Sequence, residues 1–249
     1  MLFFVSGFPS LIYQIVWQRA LFTIYGVNIE SVTIIVTVFM LGLGLGSLAG
    51  GRLSTAGGVR ALQAFGAIEI CIGTFGFCSL WIFHSVAEFT AGASTAATGG
   101  ITFLLLLVPT LLMGSTLPLL VAHLVRRTEN VGESVGSLYS VNTFGSATAC
   151  LLAAIVLMRV LGESGSVRLA AGVNLVVGSA ALLLCFRSAP LDGETSSVAD
   201  SGVSEPHKTI RFEFAMLLAA ATGFIALAYE IVWYRLYSIR QRRQRAMLC

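Results

Sequence analysis

Glu69 is the residue with the clearest capacity for chemistry in this chain. It lies near the midpoint of the apolar run VRALQAFGAIEICIGTFGFCSLWIF, residues 59–83. An ionisable group at such depth in a membrane helix is expensive and by default marks function. It suits a bound cation or a proton carried in a coupled cycle; the alternative is a neutral carboxyl hydrogen-bonded to a neighbouring helix. Gln14 and Glu230 are the next candidates. They occupy matching places in two copies of one motif, SGFPSLIYQIVWQR (6–19) and TGFIALAYEIVWYR (222–235), which share eight of fourteen residues. As repeat equivalents they would face each other across a central cavity. A third group is the stripe Tyr139, Asn142, Thr143 and Ser146, whose spacings of three and four put it on one helix face. That stripe lines a watery path or hydrogen-bonds across a bundle. Finally, in VPTLLMGSTLPLL, Pro118 removes a backbone hydrogen bond and crowds the Gly114 carbonyl, as Pro109 does to that of Leu105. The freed Gly114 carbonyl, with Ser115 and Thr116, can line a polar cavity; a kink that serves packing alone is the other reading.

Other chemistries are excluded by context. Gly44, Gly46 and Ala49 spell GxGxxA, with Glu69 at the distance of a ribose contact. The run FMLGLGLGSLAGGRL is too long for a strand, however, and Glu69 lies inside the next apolar run, so no dinucleotide cofactor is expected. Gly42, Gly46 and Gly50 recur every four residues and predict a bare face that lets another helix approach closely. Cys71, Cys78, Cys150, Cys185 and Cys249 form neither a CxxC pair nor a disulfide framework. Cys71 and Cys78 read as small apolar residues, with Glu69 as the sole nearby carboxylate, so no metal site is expected. His84 and His123 fall near the ends of apolar runs and read as interfacial. The net charge of +3 does not point to nucleic acid, because four arginines belong to the last ten residues and the others are scattered at run ends.

The elements that must position these groups are membrane helices. Charged residues make up 11 % of the chain and hydrophobic ones 56 %, with a mean hydropathy of +0.88. Soluble domains carry about 25 % charge, so the solvent is mostly lipid. No cleavable signal peptide is evident, since the first apolar run begins at Leu2 without basic residues before it. A span needs about 20 apolar residues, and seven stretches qualify: 2–25, 31–51, 60–84, 100–124, 134–160, 166–186 and 212–238. The predicted fold is an all-α polytopic bundle of about seven transmembrane helices. Six spans precede the second motif copy, so both copies point the same way across the membrane, which is a parallel repeat. The expected organisation is a six-helix unit (1–186), a disordered cytoplasmic linker rich in Ser, Pro and acid (187–211), and the first helix of a second repeat (212–238).

Basic residues set the orientation. Arg52, Arg60, Arg126, Arg127, Arg187, Lys208 and Arg211 stand on one side against Arg19, Arg159 and Arg168 on the other, seven to three. That places the N-terminus and the linker in the cytoplasm. Trp17 with Arg19, and Trp233 with Arg235, are expected to anchor their helices at the membrane interface, the arginines by snorkelling. The tail 239–249, RQRRQRAMLC preceded by Ile239, breaks the pattern by putting four arginines outside. It reads as a non-native extension after a frameshift or truncation, or else the last segment does not cross.

Four segments in order, SGFPSLIYQIVWQR, FMLGLGLGSLAGGRL, LLMGSTLPLL and VGSLYSVNTFGSATACLLA, resemble the membrane part of bacterial spermidine synthase-like proteins. In that family a multi-helix, major-facilitator-like region is fused to a soluble aminopropyltransferase domain. The resemblance runs from Leu2 to about Ser238 and implies a bacterial plasma-membrane protein that handles polyamines or related cations. The glycine-rich nucleotide loop and acidic amine site of the synthase have no counterpart here, so no residue inherits a catalytic role and the chain reads as a non-catalytic fragment. Its expected partners are the lipid bilayer and either a soluble aminopropyltransferase domain or a second copy of itself. Two other readings stand beside this one: a half-transporter that dimerises, and a membrane anchor or scaffold.

Overall fold

The computed structural model describes residues 2–25, 29–54, 58–128 and 130–187, together with helical positions between Leu217 and Leu236. The chain divides into two compact units, Met1–Pro190 and Leu191–Cys249. Glu230, Arg235, the expected linker from residue 188 onward and the tail 239–249 lie outside the described residues. In the second unit Trp233 is helical and exposed.

The first unit is a bundle of helices, with no strand among the described residues. In lipid every backbone polar group must find its partner within the protein, and a helix does this locally. The elements are α1 (Leu2–Tyr25), α2 (Ile29–Leu53), α3 (Gly58–Phe89), α4 (Thr95–Thr128) and α5 (Val131–Leu152), then a π-helical turn (Ala153–Leu157), α6 (Met158–Val160) and α7 (Gly162–Arg187). Five described stretches are long and apolar enough to cross a membrane. The chain is a multi-pass membrane bundle.

Helix α1 matches its apolar window, whereas α2 to α5 start before theirs, α4 and α5 from polar caps. Asn130 caps α5 by accepting the Glu133 N–H at 3.1 Å, the pattern of a capping residue followed three places later by Glu. Gly92, at φ +93°, turns the chain between α3 and α4, and Gly162, at φ +65°, separates α6 from α7. Both take a left-handed backbone that side chains disfavour. The expected single span over 134–160 is a rod interrupted by the π turn, where the Met158 N–H reaches back to the Ala153 carbonyl. Such turns insert an extra residue into a helix.

Alternating crossings set the neighbours. Ser6 meets Glu69, Tyr13 lies over Gly76 and Trp17 meets Ser79, so α1 and α3 run parallel with an offset of 63 or 62 residues. Parallel α2 and α4 make the most extensive helix contact. A Cβ at Gly42 would strike the Thr110 side chain, one at Gly46 the Leu111 carbonyl, and one at Gly50 the Ser115 backbone. Helix α7 runs antiparallel to α3, with Gly178 against Ile70 and Gly66 against Leu182.

A groove and a buried carboxylate

Glu69 points into the protein and is 1 % exposed. Its Oε1 accepts a hydrogen bond from the Ser6 hydroxyl of α1, while Oε2 has no partner among the described residues. Two more buried oxygens are unpartnered on the same terms, Tyr13 Oη on α1 and Asn174 Oδ1 on α7. The α3–α7 register sets Asn174 at a height between Glu69 and Gly76, the two points at which Ser6 and Tyr13 meet α3 along the α1–α3 seam. At its far end the Trp17 indole N–H donates to Ser79 Oγ at 2.9 Å, and Ser79 donates onward to the Gly76 carbonyl at 2.7 Å.

Beside that seam lies a groove of about 320 Å³, walled by α1, α2, α4 and α5. That volume is at the lower end for sites that enclose a small ligand. Helix α1 contributes Ser6, Ser10 and Gln14, and α5 contributes Tyr139, Asn142 and Ser146. Ser47 of α2 and Thr116 of α4 complete the polar wall, with Leu43, Phe39 and Met113 supplying apolar surface. The two rails α1 and α5 touch closely, because a Cβ at Gly7 would collide with Asn142. Ser146 Oγ donates to the Gly7 carbonyl at 3.2 Å.

Three of the hydroxyls on this wall have given their proton to the protein: Ser6 to Glu69, Thr116 to the Met113 carbonyl at 2.8 Å, and Ser146 to Gly7. A hydroxyl has one proton and two lone pairs. What these three can still offer an occupant is acceptor capacity. No Lys, Arg or His is among the described lining residues.

The structure thus brings together Gln14, Tyr139 and Asn142 on one groove, with Gly114 on its α4 wall, and sets Glu69 one side chain behind it. Thr143 of the expected stripe faces outward and donates to the Tyr139 carbonyl. Pro109 and Pro118 both sit inside the continuous helix α4. The hydroxyls beside them serve carbonyls other than the one Pro118 frees. Ser115 donates to Leu112, and Thr110 to Leu106 and Leu107. Ser115 backs onto Gly50 rather than lining the groove.

Trp17 requires a correction. An interface anchor must reach the surface, whereas Trp17 is 0 % exposed. It stacks on Tyr13 with centroids 4.9 Å apart and takes Phe75 and Phe83 edge-on at 5.6 and 5.9 Å. Arg19 is at the surface, and its Nε lies 3.3 Å from Glu163 Oε1 at the start of α7. Ser6, Ser10, Ser47 and Asn174 escaped the sequence reading. Asn174 had a visible signal, a lone amide inside the apolar run of α7. The serines had none, since serine is common on any helix of this kind.

Comparison with curated proteins finds similarity to polyamine aminopropyltransferase 2 of Streptomyces coelicolor, 30 % identical over 190 residues, or 74 % of this chain and 33 % of that protein. The chain therefore spans about a third of the length of the curated relative it matches. No family profile matches the chain, and no solved structure does.

Proposed function

We propose that this bundle is the membrane part of an aminopropyltransferase-type protein and that its groove receives a linear organic cation of the polyamine class. The observation that carries this reading is the acceptor-only set of hydroxyls on the wall, Ser6, Thr116 and Ser146. Ammonium groups are donors without acceptors, so they complement these three hydroxyls, and with no Lys, Arg or His among the described lining residues the wall offers an anion no charge partner. The layout supports a linear ligand. Ser6, Ser10 and Gln14 are spaced four residues apart on one helix, about 6 Å per step, beside the Asn142 and Ser146 rail of α5. Tyr139 adds a ring face to which a cation is attracted. The similarity to a polyamine aminopropyltransferase supports the chemical class. Aminopropyl transfer itself belongs, on this reading, to a soluble domain that works with the bundle. The similarity to a bacterial protein supports a bacterial plasma-membrane location, and the basic-residue asymmetry supports an orientation with the N-terminus and the α2–α3 and α4–α5 turns in the cytoplasm.

The experiment is spermidine binding to the purified chain in lipid nanodiscs, by calorimetry. Asn142→Leu with Ser146→Ala is expected to weaken binding about tenfold or more, as the loss of one charge-assisted hydrogen bond would. Equal affinity for spermidine and for a neutral polyether of the same backbone length would sink the reading.

A further inference from the structure

We infer that Glu69 sets the groove's selectivity without touching its occupant, by holding the Ser6 proton and so keeping Ser6 an acceptor. The inference rests on the groove being a cation site, and it assigns Glu69 a positioning role there. Its basis is a division of labour among three facts. Ser6 belongs to the groove wall and Glu69 does not. The Ser6 hydroxyl donates to Glu69 Oε1 across the α1–α3 contact. Glu69 is almost completely buried, with Oε2 facing no partner among the described residues.

A serine hydroxyl facing a cavity normally rotates to suit either a donor or an acceptor. Bonded to Glu69, Ser6 loses that freedom. Its proton is directed backward and its lone pairs remain for the groove. Oε1 accepts in both states, more strongly when the carboxyl is ionised and still when it carries a proton on Oε2. What matters is therefore an acceptor at this place, and the charge is secondary. A directly coordinating carboxylate would make the opposite demand, since its charge would face the ammonium group. Thr116 and Ser146 are locked by backbone carbonyls, which substitution cannot remove. Ser6 is locked by a side chain, so its state is the one that mutation can change.

The test measures the preference for spermidine over the neutral polyether, which only accepts hydrogen bonds, using the full chain in nanodiscs. The variants are Glu69→Gln, Glu69→Leu and Ser6→Ala, each checked for monodispersity and helix content. Glu69→Gln removes the charge and keeps an amide oxygen as acceptor, so the preference stays within about threefold of wild type. Glu69→Leu frees the Ser6 proton to meet the polyether, and the preference falls about tenfold, the equivalent of one such hydrogen bond. Ser6→Ala loses a similar factor, and the double variant Ser6→Ala with Glu69→Leu falls no further than the worse single one, as expected for two members of one interaction.

A preference lost in Glu69→Gln as fully as in Glu69→Leu would overturn the inference and make the charge itself the determinant. So would a preference untouched by Glu69→Leu. If Glu69→Leu does not fold, the contrast between Ser6→Ala, which must lose the preference, and Glu69→Gln, which must keep it, decides alone. A wild-type chain that shows no preference overturns the groove reading itself, a result distinct from wild-type preference that ignores Ser6 and Glu69.

Discussion

Trp17 and Trp233 hold the same place in two copies of a motif, and a tryptophan near an arginine at the end of an apolar run suggests an anchor in the membrane interface. The burial of Trp17 shows how little residue type says about surroundings. Its ring is the centre of an aromatic cluster, and its one polar atom is satisfied by Ser79. The two contributions can be separated by substitution. Trp17→Phe removes the indole N–H, while Ser79 keeps its own bond to Gly76. The loss should be about 0.5–1 kcal/mol, in line with hydrogen bonds between membrane helices. Trp17→Ala empties the cluster and should cost about 3–5 kcal/mol. Reversible unfolding in mixed micelles measures both, and a larger loss for Trp17→Phe than for Trp17→Ala would show that the cluster does not hold the bundle together. For Glu69 the sequence showed depth and chemical type. It did not show that a serine 63 positions earlier would stand between that carboxylate and the groove.

The glycine stripe on α2 belongs to the scale of elements, and here periodicity was enough to nominate a close-packed face. Spacing of four returns a residue to nearly the same side of a helix. The structure adds which neighbour lies there, and which glycine has none. Gly46 abuts the Leu111 carbonyl of α4, whereas a Cβ at Gly44 meets nothing. Gly46→Ala should therefore separate the two helices at a cost of about 1–3 kcal/mol, as overpacking does. Gly44→Ala should be neutral or stabilising by up to about 1 kcal/mol, because alanine favours the helix. Thermal unfolding followed by size exclusion compares them directly, and equal effects would contradict the α2–α4 contact. The same contrast disposes of the GxGxxA spelling, whose two glycines lie in mid-helix on different sides. The π turn after α5 left no trace in the hydropathy, since it alters the backbone path without altering apolar content.

At the scale of the whole molecule, the proposed orientation makes the ends of the bundle unequal. In a background lacking the five native cysteines, Ala93→Cys between α3 and α4 should react with a membrane-impermeant maleimide on intact spheroplasts. Ser54→Cys, at the end of α2, should react only after permeabilisation. The reverse pattern would invert the orientation, and labelling of both sites from outside would mean that α3 does not cross. The sequence by itself determined that this is an all-helical membrane protein, roughly where five of its seven expected spans lie and which face of α2 is bare. These properties depend on composition and on the 3.6-residue period, both readable within a single window. Tertiary structure alone decided that Trp17 is interior, that Ser6 joins the groove to Glu69, and that Gln14 shares a wall with Asn142. Each of those depends on the register between helices far apart in sequence, and register is settled by how small and large side chains interlock, which no local pattern records.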